Sequence, residues 1–137
     1  MTRFLIDKSA LARMPLEPVR RRLEPIIEAG EAATCSIIDL EILWSVRNHE
    51  EHRRTRQRRG LAYTQVPLTE EVFQRAIDVQ GDLARSGRHR LPIPDLLVAA
   101  AAETAGLTVL HYDADYDTIA EITRQPMEWV VPKGSLA

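Results

Sequence analysis

The chain has 137 residues, of which 45% are hydrophobic and 28% are charged, a composition that suits a soluble globular protein. Its net charge of −2 does not argue for a nucleic-acid partner. The single cysteine, Cys35, excludes an internal disulfide and a multi-cysteine metal site. Because no apolar run approaches the ~20 residues of a membrane span, we expect a cytoplasmic protein with no membrane partner, folded as a single domain over residues 1–137.

Strand and helix patterns alternate along the first half of the chain. The short apolar run from Phe4 to Ile6 predicts a buried strand that ends at Asp7. The sequence then predicts a short helix over 9–13, a second helix over 17–29 and a second strand over 32–35. A longer helix begins at Ser36, where Ser36 and Asp39 fit a capping signal.

The second half continues the alternation. A helix starts near Thr69, and an apolar helix over 94–105 is closed by Gly106. The remaining predicted elements are a strand, a short helix and an edge strand over 107–111, 116–123 and 129–131. Strands that alternate with helices predict an α/β fold, in which a small parallel sheet is covered on both faces.

Acidic residues lie at the ends of these elements. Asp7 and Asp113 follow predicted strands, and Asp95 lies in the first turn of the apolar helix. In open α/β sheets, ligands bind beyond the carboxyl ends of the strands. Acids are rarely buried unless they are paired or bound to a metal, and oxygen-rich sites favour Mg²⁺ or Mn²⁺ over zinc. The pattern therefore predicts a divalent-metal site.

Each acid also has an alternative interpretation. Asp7 could cap the next helix, and the helix macrodipole favours an acid at Asp95 in any case. The helix after Asp95 is apolar almost all round, so it must be central and its N-terminus should point into a crevice. Asp115 could be a helix cap and Asp117 a first-turn acid, whereas Asp113 has no such explanation. We therefore rank Asp113 as a ligand and Asp115 as its support, and leave Asp117 open.

Glu41 is an acid inside the helix that begins at Ser36. Its neighbours three and four positions away are Ile37, Ile38, Trp44 and Ser45. An isolated carboxylate buried among such residues is costly or has a raised pKa, so an inward-facing Glu41 would need a cation. The alternative is a solvated glutamate at the edge of the helix. Asp39, on the same helix, is explained by its capping position.

Four stretches together resemble the PIN-domain ribonucleases, and most closely the VapC-type toxins of bacterial toxin–antitoxin pairs. They cover residues 5–11, 34–41, 94–100 and 110–120. No single stretch is specific, but the ordered set spans nearly the whole chain. The resemblance implies a PIN-like three-layer sandwich, with a small central parallel sheet flanked by helices.

The resemblance also implies an activity and a site. The residues that would be both catalytic and metal-binding are Asp7, Glu41, Asp95 and Asp113, with Asp115 in support and Asp117 as a further candidate. The activity would be that of a Mg²⁺- or Mn²⁺-dependent endoribonuclease, which hydrolyses phosphodiester bonds of tRNA or ribosomal RNA with a metal-activated water. Such toxins are held inactive by a cognate VapB-type antitoxin and usually form homodimers.

Four residues are candidates for contact with RNA beside the metal. They are Lys8, Ser9, Arg88 and Arg90. Position 8 is commonly Thr or Ser in the family, so Lys8 could bind a substrate phosphate, compete with metal for Asp7, or simply face solvent. Ser9 keeps the family's hydroxyl, which could orient a metal-bound water or cap the helix.

Other features have two interpretations. The arginine-rich stretch 47–59 is either a solvated helix face or a contact for RNA or antitoxin. We interpret Trp44 and Trp129 as core or dimer-interface residues rather than base-stacking platforms, and His111 as structural. Two rival functions stay open. One is a different Mg²⁺-dependent phosphotransfer protein, which needs a nucleophilic Asp and a Lys at a later strand end. The other is a non-catalytic PIN-like module that only binds protein.

Overall fold

A parallel sheet forms the centre of the computed structural model, which describes residues 1–136. Its strands are β1 (Phe4–Ile6), β2 (Ala32–Thr34), β3 (Thr64–Gln65), β4 (Thr108–His111) and β5 (Met127–Trp129). They lie in the order β3-β2-β1-β4-β5, and every neighbouring pair is parallel. The chain moves from β1 to one side of the sheet and returns on the other side at β4. Such a reversal opens a crevice at the carboxyl ends of the two strands.

Helices cover both faces of this sheet. They are α1 (Lys8–Leu11), α2 (Glu17–Glu28), α3 (Ser36–Trp44), α4 (His49–Ala62), α5 (Glu70–Ala84), α6 (Ile93–Ala105) and α7 (Asp115–Thr123). Side chains alternate between the faces of a strand, so Phe4 and Ile6 pack with α2, whereas Leu5 packs with α3, α5, α6 and α7. The result is a three-layer α/β sandwich with two apolar cores, which confirms the predicted fold class.

The apolar helix α6 lies at the centre of one core, as its sequence predicts. Residues 95–102 are all buried, and α6 ends at Gly106, whose positive φ of 70° is favourable for glycine. The helix has only 13 residues. Within the described part of the chain, no helix has both the length and the apolar character that a membrane crossing requires.

The predicted capping signal at Ser36 is wrong. Cys35 is the N-cap residue of α3, and it makes no side-chain capping bond. Asp39 instead accepts hydrogen bonds from the Thr34 hydroxyl at 2.9 Å and from Nε of Arg59 at 3.1 Å. The guanidinium of Arg59 is largely buried against the ring of Tyr63, and a buried cation needs a counter-charge. Asp39 therefore joins α3 to α4.

Candidate functional site

Acidic side chains meet at the carboxyl ends of β1 and β4, in the middle of the sheet. Asp7 directly follows β1, and its backbone N–H donates to the carbonyl of Leu110 in β4 at 3.0 Å. Asp113 follows β4, while the N-terminal turn of α6 brings Asp95 to the same edge. We call the carboxylates of Asp7, Glu41, Asp95, Asp113 and Asp115 the acidic pocket.

Asp7 caps the next helix, as the sequence allowed, and it lies at the carboxyl end of β1. The residue is only 4% exposed, and its Oδ2 accepts the backbone N–H of Ser9 at 3.0 Å, which caps α1. Its Oδ1 accepts the hydroxyl of Tyr116 at 2.8 Å. The two bonds fix the orientation of the carboxylate and direct it into the crevice.

Asp95 is the most perturbed acid of the pocket. It is 9% exposed, and its Oδ2 is buried without a hydrogen-bond partner in residues 1–136. Burial, together with the charges of the neighbouring carboxylates, Asp7 and Asp113 foremost, raises its pKa to about 8. A buried carboxylate oxygen that lacks a donor and is surrounded by negative charge is suited to bind a cation. The residues present therefore fit an oxygen-coordinated divalent metal.

Asp95, Asp113 and Asp115 form the tightest part of the pocket. Each offers a carboxylate oxygen, and these three atoms all lie within 4.8 Å of one another. Burial raises the pKa of Asp115, and the charge of Asp113 raises it further. Several acids held this close repel one another, and a cation would relieve the repulsion.

The structural roles predicted around α7 were partly wrong. The N-cap residue is Ala114 rather than Asp115, which is the first residue of the helix. Asp113, for which the sequence offered no structural role, accepts the backbone N–H of Asp115 through Oδ1 at 2.9 Å. This local contact is typical of aspartate in turns, and it fixes Asp113 beside the pocket.

Glu41 reaches the pocket from α3 and is paired with Lys8. The distance from Nζ of Lys8 to Oε2 of Glu41 is 3.9 Å. Burial raises the pKa of Glu41, the charge of Asp7 raises it further, and Lys8 opposes both. The cation at position 8 thus pairs with Glu41, and the hydrogen bonds of Asp7 go to Ser9 and Tyr116 instead.

Two of the predicted site residues have structural contacts outside the group formed by Asp95, Asp113 and Asp115, which we call the three-carboxylate group. Asp117 accepts a hydrogen bond from Nε1 of Trp129 at 3.0 Å and another from Nζ of Lys133 at 3.4 Å, so it joins α7 to β5. The hydroxyl of Ser9 accepts the backbone N–H of Tyr112 at 2.9 Å, which ties α1 to the segment after β4.

The two arginines among the predicted RNA contacts lie at the surface. Arg88 bonds to Glu121 and Ser86, whereas exposed Arg90 forms no ion pair within residues 1–136. In the arginine-rich stretch, Arg47, Arg53, Arg54 and Arg59 are in ion pairs. Most of α4 is thus an ion-paired, exposed helix with no buried residue.

The aromatic residues differ in their environments. His111 is buried and packs on the rings of Tyr116 and Trp129, with centroids 4.9 and 5.0 Å away, which agrees with a structural role. Trp44 is 86% exposed, so it is not a core residue, and the alternative of a dimer-interface position stays a prediction. Sequence reasoning missed Tyr116, which lies between Asp7 and Asp95. The only signal in the sequence was that Tyr116 stands between several acids. A buried tyrosine needs a partner for its hydroxyl, and a carboxylate can accept that hydrogen bond.

The sequence is similar to a known family and to its ribonucleases. A family model of the PIN domain matches residues 4–122. Ribonuclease VapC21 of Mycobacterium tuberculosis is 50% identical over 137 residues, an alignment that covers 98% of each chain. Ribonuclease VapC51 of the same organism is 42% identical over 134 residues, covering 98% of this chain and 97% of the relative.

The fold is similar to that of solved toxin–antitoxin proteins. DNA-bound VapBC from Salmonella typhimurium superposes with a TM-score of 0.73 at 17% identity, covering 96% of this chain and 100% of the other. VapBC-1 from nontypeable Haemophilus influenzae superposes with a TM-score of 0.75 at 13% identity, and the alignment covers 93% of this chain and 97% of the other. At these identities the likeness concerns the fold alone.

Proposed function

The chain belongs to the PIN-domain family, and from that premise we propose that it is a VapC-type toxin, an endoribonuclease that hydrolyses RNA phosphodiester bonds with Mg²⁺ or Mn²⁺. The names of its relatives support the substrate class. The observation that carries the metal dependence is the buried Oδ2 of Asp95, which lacks a hydrogen-bond partner in the described chain and lies among other carboxylates.

The acidic pocket supplies the proposed ligands. Asp7, Glu41, Asp95 and Asp113 would hold the cation, with Asp115 in support. When bound, Mg²⁺ or Mn²⁺ supplies positive charge against the phosphate and acidifies a water molecule. Asp117 is not included, because its carboxylate is turned towards Trp129 and Lys133 at β5 and not towards the other acids.

The remaining parts of the proposal concern what the chain itself does around that pocket. Tyr116 and the backbone of Ser9 hold the carboxylate of Asp7 in one orientation. Lys8 and Arg90, both exposed, would attract the phosphates of a tRNA or ribosomal RNA. A VapB-type antitoxin would hold the toxin inactive, and the toxin would act as a homodimer.

A phosphotransfer protein with an aspartyl nucleophile fits less well. It needs a lysine near the nucleophile to bind the phosphoryl group. The lysine that follows β5, Lys133, pairs with Asp117, outside the three-carboxylate group. Lys8, the other lysine of the chain, comes just after β1 and not at the end of a later strand.

The test is induction of the protein without antitoxin, followed by mapping of RNA 5′ ends. We expect growth arrest and new 5′ ends with the wild type, and neither with Asp95→Asn. Asp78→Asn is the matched control, because Asp78 is exposed on α5, and it should behave as wild type. Equal arrest by wild type and Asp95→Asn would contradict the metal mechanism and favour a protein-binding module.

A further inference from the structure

Two large apolar side chains project from α3 next to the acidic pocket. Trp44, the last residue of the helix, is 86% exposed, and Leu40, one turn earlier, is 65% exposed. Residues four apart lie on the same face of a helix, so the two form one continuous apolar surface. Single exposed apolar residues are ordinary, but an adjacent pair beside a chemical site indicates contact with a ligand.

This surface forms one wall of a shallow hollow. The hollow has a volume of about 320 Å³ and is lined by Lys8, Leu40, Glu41 and Trp44. We call it the Trp44 hollow. Glu41 belongs both to its lining and to the acidic pocket, so a ligand in the hollow lies directly beside the carboxylates. Lys8 adds an exposed ammonium group at the same edge.

The lining of the hollow matches one nucleotide of a single-stranded RNA. An unpaired base can stack on an exposed indole, and such stacking tolerates any base because every base has a flat aromatic face. The ammonium of Lys8 is complementary to the phosphate that joins this nucleotide to the next. Because Glu41 lines the hollow and also belongs to the acidic pocket, the RNA strand would continue from the hollow towards the other carboxylates.

A protein partner fits this hollow less well. Stable protein interfaces bury about 800 Å² on each partner and avoid charged residues at their centre. The Trp44 hollow is small, and two of its four lining residues are the ion pair of Lys8 and Glu41. A larger groove of about 560 Å³, which also includes Leu40 and is lined further by Leu43 and Arg56, has more room for a peptide segment.

We propose that Trp44 and Lys8 form a subsite that binds one unpaired nucleotide of the substrate, with the base stacked on the indole of Trp44 and the adjoining phosphate beside Lys8. This inference rests on the proposed ribonuclease function. It assigns to Trp44 a role in substrate affinity and none in the chemical step.

Intrinsic fluorescence tests the contact without any cleavage. The chain has two tryptophans, and Trp129→Phe leaves Trp44 as the only one. We would titrate this variant, in EDTA, with a short single-stranded oligoribonucleotide and with an oligomer of the same length built entirely of abasic ribose phosphates. Stacking predicts quenching by the first and none by the second. Equal quenching by both, or by neither, would overturn the proposal.

Kinetics on an otherwise natural protein give the second measurement. Trp44→Leu should raise KM for a single-stranded substrate about tenfold and leave kcat unchanged, a loss within the range of one base–aromatic stack. Trp44→Phe keeps an aromatic ring and should restore most of the affinity. Leu61→Ala is the control, because Leu61 is 85% exposed on α4 and does not line the hollow, and it should behave as wild type.

The outcomes separate this inference from the proposed function. If wild type cuts RNA but Trp44→Leu has an unchanged KM, the subsite is wrong and the ribonuclease stands. A changed sedimentation mass or antitoxin affinity in Trp44→Leu, with RNA affinity unchanged, would identify a protein contact and also overturn it. If wild type cuts no RNA, the function fails, whereas the fluorescence titration still reports on base stacking.

Discussion

The hydroxyl of Tyr116 donates a hydrogen bond of 2.8 Å to Oδ1 of Asp7 and lies 3.5 Å from Oδ1 of Asp95. Tyr116 is fully buried between these two acids. Burial and the adjacent charge of Asp7 raise its pKa well above the usual value, so the hydroxyl keeps its proton. A neutral donor thus holds one carboxylate of the acidic pocket in place and leaves the second free for another partner.

Removal of that hydroxyl should weaken both the fold and the metal site. In Tyr116→Phe, Oδ1 of Asp7 loses its donor in a buried place, which should lower the free energy of unfolding by about 1–3 kcal/mol. The carboxylate of Asp7 is then held only by the backbone N–H of Ser9, so we expect its orientation to loosen and the Mn²⁺ dissociation constant to rise about tenfold. Urea unfolding in EDTA and calorimetric titration with Mn²⁺ measure the two effects.

A matched control for this variant is Tyr63→Phe. Tyr63 is the C-cap residue of α4 and packs against Arg59, away from the acidic pocket. Loss of the Tyr63 hydroxyl should leave Mn²⁺ affinity unchanged. Equal Mn²⁺ affinity in wild type and Tyr116→Phe would show that Asp7 does not need the tyrosine for its orientation.

The metal-free protein should lose stability as the pH rises. The pKa of Asp95 is raised to about 8 in the folded chain, so between its unfolded value near 4 and about 8 the native state binds more protons than the unfolded state. Stability therefore falls across this window and levels off above it. We expect a loss of about 3 kcal/mol, roughly half of what about 1.36 kcal/mol per pKa unit gives, because solvent reaches part of the pocket.

Asp95→Asn removes the acid with the most strongly raised pKa. Its unfolding free energy in EDTA should fall less between pH 5 and about 8 than that of wild type, because only Asp115 and Glu41 of the acids with raised pKa values still titrate, and it should be higher than that of wild type at the upper end. Mg²⁺ should restore the stability of wild type at high pH, where the carboxylates are ionised, but not that of the variant. A pH profile of Asp95→Asn that follows wild type would show that Asp95 is not the source of the slope.

Several elements could be predicted because their patterns are local. The apolar runs of β1 and β4 and the nearly uniform apolar surface of α6 leave few alternatives in a chain of this size. The acids that follow β1 and β4 could be placed together, since the carboxyl ends of neighbouring parallel strands share one edge. In contrast, β3 has two exposed residues and no apolar pattern, so the sequence contained no signal for it.

The details of the site depend on helix phase and on distant contacts. A helix turns by about 100° per residue, so Asp115 and Asp117 point in nearly opposite directions once α7 begins at Asp115. The sequence prediction started this helix one residue later and left Asp117 open. The bridging position of Tyr116 depends on three separate segments of the chain, and no local pattern carries that information.

The same phase effect separates two acids of α3. Asp39→Asn should leave the largely buried guanidinium of Arg59 without a counter-charge and lower the free energy of unfolding by about 2 kcal/mol. Its Mn²⁺ affinity should remain that of wild type. Glu41→Gln should do the opposite: it weakens Mn²⁺ binding about tenfold and keeps or increases stability, because a half-buried charge is removed. Urea unfolding and calorimetry on both variants check this, and loss of Mn²⁺ affinity in Asp39→Asn would contradict it.

Lys8 should act against metal binding and in favour of RNA binding. Its ammonium lies 3.9 Å from Oε2 of Glu41 and therefore competes with a cation for that carboxylate. Such an exposed ion pair contributes about 0–1 kcal/mol, so Lys8→Met should tighten Mn²⁺ binding by at most about fivefold, and added salt should reduce the difference. The same change removes a phosphate contact and should raise KM for RNA.

Lys133→Met is the matched control, because Lys133 pairs with Asp117 at 3.4 Å, and it should alter neither Mn²⁺ affinity nor KM for RNA. If Lys8→Met weakened Mn²⁺ binding, the lysine would be organising Glu41 for the metal instead of competing with it.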